Sequence, residues 1–327
     1  MTSGVLQIIK QTFLGAYTAG GQVLVPRIWS VAISGDGQHV LVGSEHDLRL
    51  LDRWGEIHFR YAHPQRDVDL PFTHVALSSD FQTGFAIQRT GEVYRLDFEY
   101  KGEGDGVKVN LQKIYVFPND VYSASFFPEN EIITIGHFNK RISLIDLGGN
   151  LLWQIPTQGR TWAVAFGTNG EVIYTGSSGA PHNVLGVIDT QNGKPLGGVR
   201  VNARVMSLSA SSHLPGVIAV LSTRYGSHVS AYSNGLSERI WTFETGLREY
   251  ITAMTTDMNH DILVMGASAG TLYVLEASSG HVLAETTLSG TILSLAIASG
   301  RYIVAGLQDG YIVYLEYTSF TEGEWVL

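Results

Sequence analysis

Three short segments of this chain carry the letters of a reactive or ion-binding site. Gly266-Ala267-Ser268-Ala269-Gly270 spells the elbow that presents a hydrolase serine. That elbow works only where a strand turns sharply into a helix, because the turn lifts the hydroxyl out of the sheet. Strand-like runs flank this copy on both sides, so it reads as a loop. Asp257-Met258-Asn259-His260-Asp261 sets three oxygen-bearing side chains at alternate positions, as a calcium loop begins. It lacks the glycine at the sixth position and the later glutamate of such a loop, and a tight hairpin turn accounts for it. Lys101-Gly102-Glu103-Gly104-Asp105-Gly106 is glycine-rich but leads into no helix whose N-terminus holds a phosphate. It reads as a flexible hairpin tip. The chain has no cysteine, which removes disulfide scaffolds, thiol catalysis and cysteine-ligated zinc or iron–sulfur sites.

Composition narrows the class of protein. The chain has 327 residues, 44% of them hydrophobic, which is ample for a packed core. Charged residues are 16%, against about 25% in ordinary domains, and the 37 glycines point to many turns and few exposed helices. Disorder and coiled coil are excluded. With 21 Lys and Arg against 30 Asp and Glu the formal charge is −9, which argues against whole-surface nucleic-acid binding. No run of 18 apolar residues exists, so no membrane span is expected. Lys10, Gln7 and Gln11 interrupt the apolar residues of Met1 to Leu14, and no small-residue cleavage pattern follows, so no secretory signal is read. The expectation is a cytoplasmic protein with no cofactor, no metal and no membrane partner.

A motif of apolar, small polar, apolar, small, apolar returns seven times. It reads Trp29-Ser30-Val31-Ala32-Ile33, Thr73-His74-Val75-Ala76-Leu77, Tyr122-Ser123-Ala124-Ser125-Phe126 and Trp162-Ala163-Val164-Ala165-Phe166, then Met206-Ser207-Leu208-Ser209-Ala210, Ile251-Thr252-Ala253-Met254-Thr255 and Leu293-Ser294-Leu295-Ala296-Ile297. The central residues are spaced by 44, 49, 40, 44, 45 and 42, a mean of 44. That period suits one four-stranded blade of a β-propeller. Most copies continue into a second strand ending near glycine, as in Val40-Leu41-Val42-Gly43 and Ile133-Thr134-Ile135-Gly136. A third strand follows that ends in an acid, as in Leu50-Leu51-Asp52, Leu144-Ile145-Asp146 and Val187-Ile188-Asp189. A glycine-bearing turn and a fourth strand complete the unit, most plainly in Gly148-Gly149-Asn150-Leu151-Leu152-Trp153. The segments are short, rich in Val, Ile, Leu and aromatics, and bounded by turn residues, as strands require. The expected fold is all-β: a single domain over 1–327, a seven-bladed propeller of four-stranded antiparallel blades. Blades start near 29, 73, 122, 162, 206, 251 and 293, and 1–26 form a closing strand and lead-in. The five extra residues of blade 2 are assigned to the tip at 101–106.

These motifs resemble the WD-repeat-like and quinoprotein-like (PQQ-like) propellers over roughly residues 27 to 317. The Trp-Asp dipeptide of true WD repeats is replaced by Leu51-Asp52, Ile145-Asp146 and Ile188-Asp189, and a regular Gly-His pair is missing. By analogy with family members, the ring closes by joining the termini. Residues Leu6 to Phe13 are expected beside 311–316, with Trp325-Val326-Leu327 as the alternative closing segment.

First strands of a propeller surround its channel, which gathers Ser30, His74, Ser123, Ala163, Ser207, Thr252 and Ser294 there. Small hydroxyls fit where seven backbones converge and can satisfy one another or bind water. His74 departs from the pattern: it is either a ligand or acid/base position or a hydrogen-bonded structural histidine. Arg27, Arg160 and Arg204 stand two residues before the motif, and Arg248 is one position out of register. Arg89, Lys140, Arg141 and Arg224 follow second strands on that same face. The opposite face collects Asp36, Asp52, Asp80, Asp97, Glu129, Glu131, Asp146, Asp189, Asp257, Asp261 and Glu276.

An arginine-lined mouth with Trp29 and Trp162 beside it is suited to an acidic or phosphorylated segment, since arginine forks onto oxyanions and aromatics supply anchor area. The competing account has these arginines closing salt bridges between blades and the tryptophans packing between sheets. The resemblance implies a non-enzymatic interaction scaffold and a subunit of a larger complex, because WD-repeat-like propellers mostly organise assemblies. Two other readings stand beside it. One is a lactonase-like propeller enzyme with its chemistry in the channel, which the Ser/Thr ring fits poorly. The other is a sensor of a small molecule or nucleic acid. Quinone redox chemistry fits least, for want of adjacent cysteines and of length.

Overall fold

A computed structural model of the chain describes residues 3–19, 22–62, 70–100, 106–179, 182–246, 248–257 and 259–320. Seven four-stranded antiparallel sheets form a ring, joined by a small two-stranded hairpin of Tyr17–Ala19 and Gln22–Leu24. The inner strands are Ile28–Ile33, Phe72–Leu77, Val121–Phe127, Arg160–Phe166, Arg204–Ser211, Ile251–Thr256 and Ile292–Ala298. Each packs beside the inner strand of the next blade, and the seventh beside the first. The strand Ser3–Phe13 pairs antiparallel with Tyr311–Phe320 as the outer strand of blade 7, so the N-terminal segment closes the ring. Closure removes an open seam between first and last blades. The alternative closing segment, Trp325 to Leu327, lies outside the described residues, as do residues 101–105 of the blade 2 tip. The strands flanking that tip, Glu92–Tyr100 and Val107–Val116, hold 9 and 10 residues, so the extra length also lies in the ladder.

The core is divided. Seven clusters of buried apolar side chains lie between adjacent blades, one to each seam. Successive residues of one strand therefore face opposite neighbours: on the third strand of blade 3, Ile142 and Leu144 pack toward blade 4 and Ile145 toward blade 2. Strands buried on both faces need nearly continuous Val, Ile and Leu, which is why the second and third strands read as apolar runs.

The glycine ending the second strand has a steric cause. A Cβ on Gly43 would meet the backbone of Phe72, one on Gly136 would meet Thr161, and one on Gly306 would meet Ile28. Gly176 and Gly266 face Val205 and Ile292 in the same way. In five blades, then, the next inner strand docks into the space that a side chain would fill. Blades 2 and 5 carry Ile87 and Val220 opposite His74 and Ser207, where the other blades carry this glycine. At those two seams, 2/3 and 5/6, neighbouring inner strands approach each other least.

Every inner strand also carries a β-bulge after its first or second ladder pair. The bulged residues are Trp29, Thr73, Tyr122, Trp162, Met206, Thr252 and Leu293. The blade 6 register corrects the sequence reading by one residue: Thr252 takes the first place of the motif, Ala253 the second and Met254 the third. Six further corrections are unnecessary, because the other copies align as expected.

Candidate functional site

A bulge kinks its strand and re-aims a side chain, and here seven bulges do so at one end of the channel. All seven bulged residues line a single mouth of about 940 Å³. Around it stand Arg89, Arg204 and Arg224 with Asn183, Asn202 and Tyr250, and among the described residues no Asp or Glu lines it. In a chain with 30 acids and 21 bases, three arginines gathered with no carboxylate among the described lining residues are a local reversal of charge.

The guanidinium groups are held by aromatic faces. Arg204 lies 4.9 Å from the centre of the Trp162 ring, Arg89 5.8 Å from Tyr122 and Arg224 4.6 Å from Tyr225. Trp162 and Tyr122 are 4.6 Å apart, Tyr122 and Phe138 5.4 Å, and Arg160 caps Phe138 at 4.0 Å. The result is one ladder, Arg204–Trp162–Tyr122–Phe138–Arg160, running across blades 3 to 5. Cation–π stacking fixes the plane of a guanidinium and leaves its N–H edge outward.

Among the described residues, Arg89, Arg160, Arg204 and Arg224 form no ion pair with a carboxylate. Arg27 is the exception on this face: its Nε stands 3.8 Å from Glu45, and its ring contact is with Trp29 at 5.8 Å. Inter-blade salt bridges therefore do not account for the arginine series. The role of tryptophan between blades falls to others: Trp153 Nε1 donates to the Thr190 carbonyl at 2.8 Å and Trp241 Nε1 to Ala277 at 3.1 Å.

Of the expected arginines, Arg204 lines the mouth, while Arg27, Arg160 and Arg248 stand on the same face outside its lining. Arg248 has a left-handed backbone, φ 66°, and its N–H donates to the Tyr225 carbonyl at 2.8 Å. Trp29 and Trp162 both line the mouth. Sequence reasoning gave its weight to the second place of the motif and so passed over Tyr122, Met206 and Leu293 in the first place. Asn183 and Asn202 carry no repeat signal at all.

Below the mouth a channel segment of about 450 Å³ is lined by Ser30, His74, Ser123, Ala163 and Ser207 among others, and His74 belongs to both spaces. Ser294 is 8% exposed and Thr252 lines the mouth instead. The hydroxyls join blades. Ser123 Oγ donates to the Thr161 carbonyl at 3.4 Å, Ser294 Oγ to Ile28 at 3.3 Å, and Thr252 Oγ1 to Ile292. Each of these carbonyls belongs to the residue just before a bulge. Ser30 Oγ accepts from the Val75 N–H at 3.0 Å.

His74 does the same work across a wider gap. Seam 2/3 is spread by Ile87, and the imidazole reaches the backbone of Tyr122 while its Nδ1 lies 3.0 Å from Thr73 Oγ1. Desolvation in the channel wall pushes the imidazole down to about 4, against the hydrogen bond with Tyr122, which favours the charged form. His74 is thus a neutral bridge at neutral pH.

The far end of the channel opens into a second mouth of about 620 Å³, lined by Glu129, Asp257 and His260 and, among the described residues, by no Lys or Arg. The expected acidic face is here, and most of its carboxylates are engaged. Asp36 accepts from Ser34 and Gln38, Asp80 from Ser78 and Gln82, and Asp52 from the N–H groups of Trp54 and Glu56. Asp146, Asp189 and Glu276 close their own turns in the same manner, and Asp261 accepts from Ser278 in the neighbouring turn of its blade. Asp257 binds the N–H groups of Asn259 and, in blade 7, Gly300, at 2.9 and 2.6 Å. The segment around it is a hairpin turn, and Ser268 lies between two strands.

The chain matches no protein-family model and no curated protein. Among the described residues, no group of three or more His, Asp or Glu side chains is placed to hold a metal ion, and no helix is long and apolar enough to cross a membrane.

Proposed function

We propose that this propeller is a non-enzymatic interaction scaffold and a subunit of a larger complex, which binds an acidic or phosphorylated segment of a partner protein at the arginine mouth. The observation that carries this reading is the set of unspent donors. Arg89, Arg204 and Arg224 line one cavity with no carboxylate among its described lining residues, and the cavity is large enough to take several side chains of an extended segment. Stacked guanidiniums lose little freedom when they fork onto an oxyanion, so the site is prepared for its ligand. Nucleic acid fits less well, because the chain carries a net charge of −9 and the faces of Trp162 and Tyr122 are already taken by Arg204, by Arg89 and by each other. The likeness of the repeat to WD-repeat-like propellers supports a scaffold role by analogy.

The test is binding of peptide libraries with a fixed central Glu or phosphoserine, by the wild type and by the Arg89→Glu/Arg204→Glu/Arg224→Glu variant. Retention by the wild type and its loss in the variant, with thermal unfolding unchanged, is expected. Equal retention by both proteins, or by neither, overturns the reading.

A further inference from the structure

The donors of the mouth are unevenly distributed around its rim. Asn183 begins the third strand of blade 4, Asn202 lies in the connection to blade 5, Arg204 opens blade 5, and Arg224 sits in the turn after its second strand. These four meet at seam 4/5. None of their side chains has a hydrogen-bond partner among the described residues apart from the cation–π contacts of the arginines. Nearby Ser222 and Thr223 are spent on Ser227 and Gly226. Across the axis the rim changes character: blades 7 and 1 contribute Leu293 and Trp29, with Arg27 drawn away to Glu45.

We infer that the mouth reads a phosphorylated segment at two places, a phosphoryl group at seam 4/5 and an apolar side chain of the same segment on the Leu293–Trp29 arc. This rests on the scaffold reading and narrows it. Two guanidiniums and two carboxamides offer more N–H groups than the two oxygens of a carboxylate can accept. A phosphoryl group presents three oxygens and nearly two charges, and so engages more of the set than a carboxylate does. The Leu293–Trp29 arc stands across the axis from seam 4/5 and the Trp29 indole N–H is buried, so an apolar contact gains most there. Arg89, alone on blade 2, supplies long-range attraction.

Three matched peptide libraries, with phosphoserine, Glu or Ser fixed at the centre and four randomised positions on each side, separate the alternatives. Retention on immobilised protein is read by sequencing the bound pool. The expected result is phosphoserine retained at least tenfold over Glu, with Leu, Ile or Phe enriched at one fixed distance from it. Arg204→Gln/Arg224→Gln is expected to abolish the phosphoserine preference, while Trp29→Ala keeps it and erases the apolar enrichment. Phosphoserine and Glu libraries retained alike, both lost in the triple arginine variant, overturn the two-place inference and leave the scaffold reading intact. No retention of any library overturns both. A single-stranded thymidine oligonucleotide that displaces the phosphoserine pool at equal concentration also overturns the inference.

Discussion

The two mouths of one channel use charge in opposite ways. At the acidic mouth, carboxylates accept hydrogen bonds from turn N–H groups and neighbouring blades, so they belong to the fold. At the arginine mouth, guanidiniums rest on aromatic rings and make no ion pair at Arg89, Arg204 or Arg224. The chain's net charge of −9 describes mainly the face whose charges are engaged. The face that is free to bind has the minority sign.

Low pH should break this contrast most strongly, because it places charge between the mouths. Burial holds both His74 and His137 down to about 4. Their ordinary value is near 6.5, so both are neutral in the fold and more readily protonated in the unfolded chain. The stability they contribute is complete above about 6.5 and is lost as pH falls toward 4. Discounted for the half-buried position of His74, the pair accounts for a loss on the order of 3 kcal/mol. Denaturant unfolding at pH 7 and pH 4.5 should show it, and His74→Gln with His137→Gln should flatten the pH dependence.

At neutral pH the arginine mouth should lose binding without losing stability. The triple Glu variant is expected to weaken phosphoserine-library binding on the order of 100-fold, from the loss of three charge-assisted contacts. A fall in melting temperature would show that these side chains serve the fold after all. The acidic mouth should do the reverse: Asp257→Ala is expected to cost about 2 kcal/mol in unfolding free energy, since the N–H groups of Asn259, His260 and Gly300 lose their acceptor, with peptide binding unchanged. Because hydrogen bonds hold the Asp257 carboxyl below the usual range, its contribution persists at neutral pH and fades only in acid. The smallest effect belongs to Glu129, which has no hydrogen bond or ion pair among the described residues. Glu129→Gln should change stability by less than about 0.5 kcal/mol.

The ring of seven blades was legible because its period rests on two steric rules that leave marks in the letters: small residues along the channel and glycine where the next strand docks. Closure by the N-terminal strand was expected by analogy with propellers that join their termini, with Leu6 to Phe13 as the candidate strand, and Ser3–Phe13 does pair with Tyr311–Phe320. The register of blade 6 was not. Ile251-Thr252-Ala253 offers two small residues in succession, and only the bulge decides that Thr252 points into the mouth. The mouth itself was partly legible. Its arginine character followed from strand polarity, but which arginines converge depends on turn geometry, so Arg224 and Arg89 line the cavity while Arg27 and Arg160 do not. His74 looked chemical because its neighbours in the ring are small. Ile87, which stands opposite His74 where other blades carry glycine, is the reason that a longer side chain is needed there.

The seams carrying Ile87 and Val220 have a mechanical consequence. They divide the ring into an arc of blades 3 to 5 and an arc of blades 6, 7, 1 and 2. A ring with two slack joints has a rocking motion that an evenly packed ring lacks, with the arcs turning about a line through both joints. Arg204 and Arg224 ride on one arc, and Arg89, Trp29 and Leu293 on the other. A segment held at both ends of the mouth would act as a strut across that line.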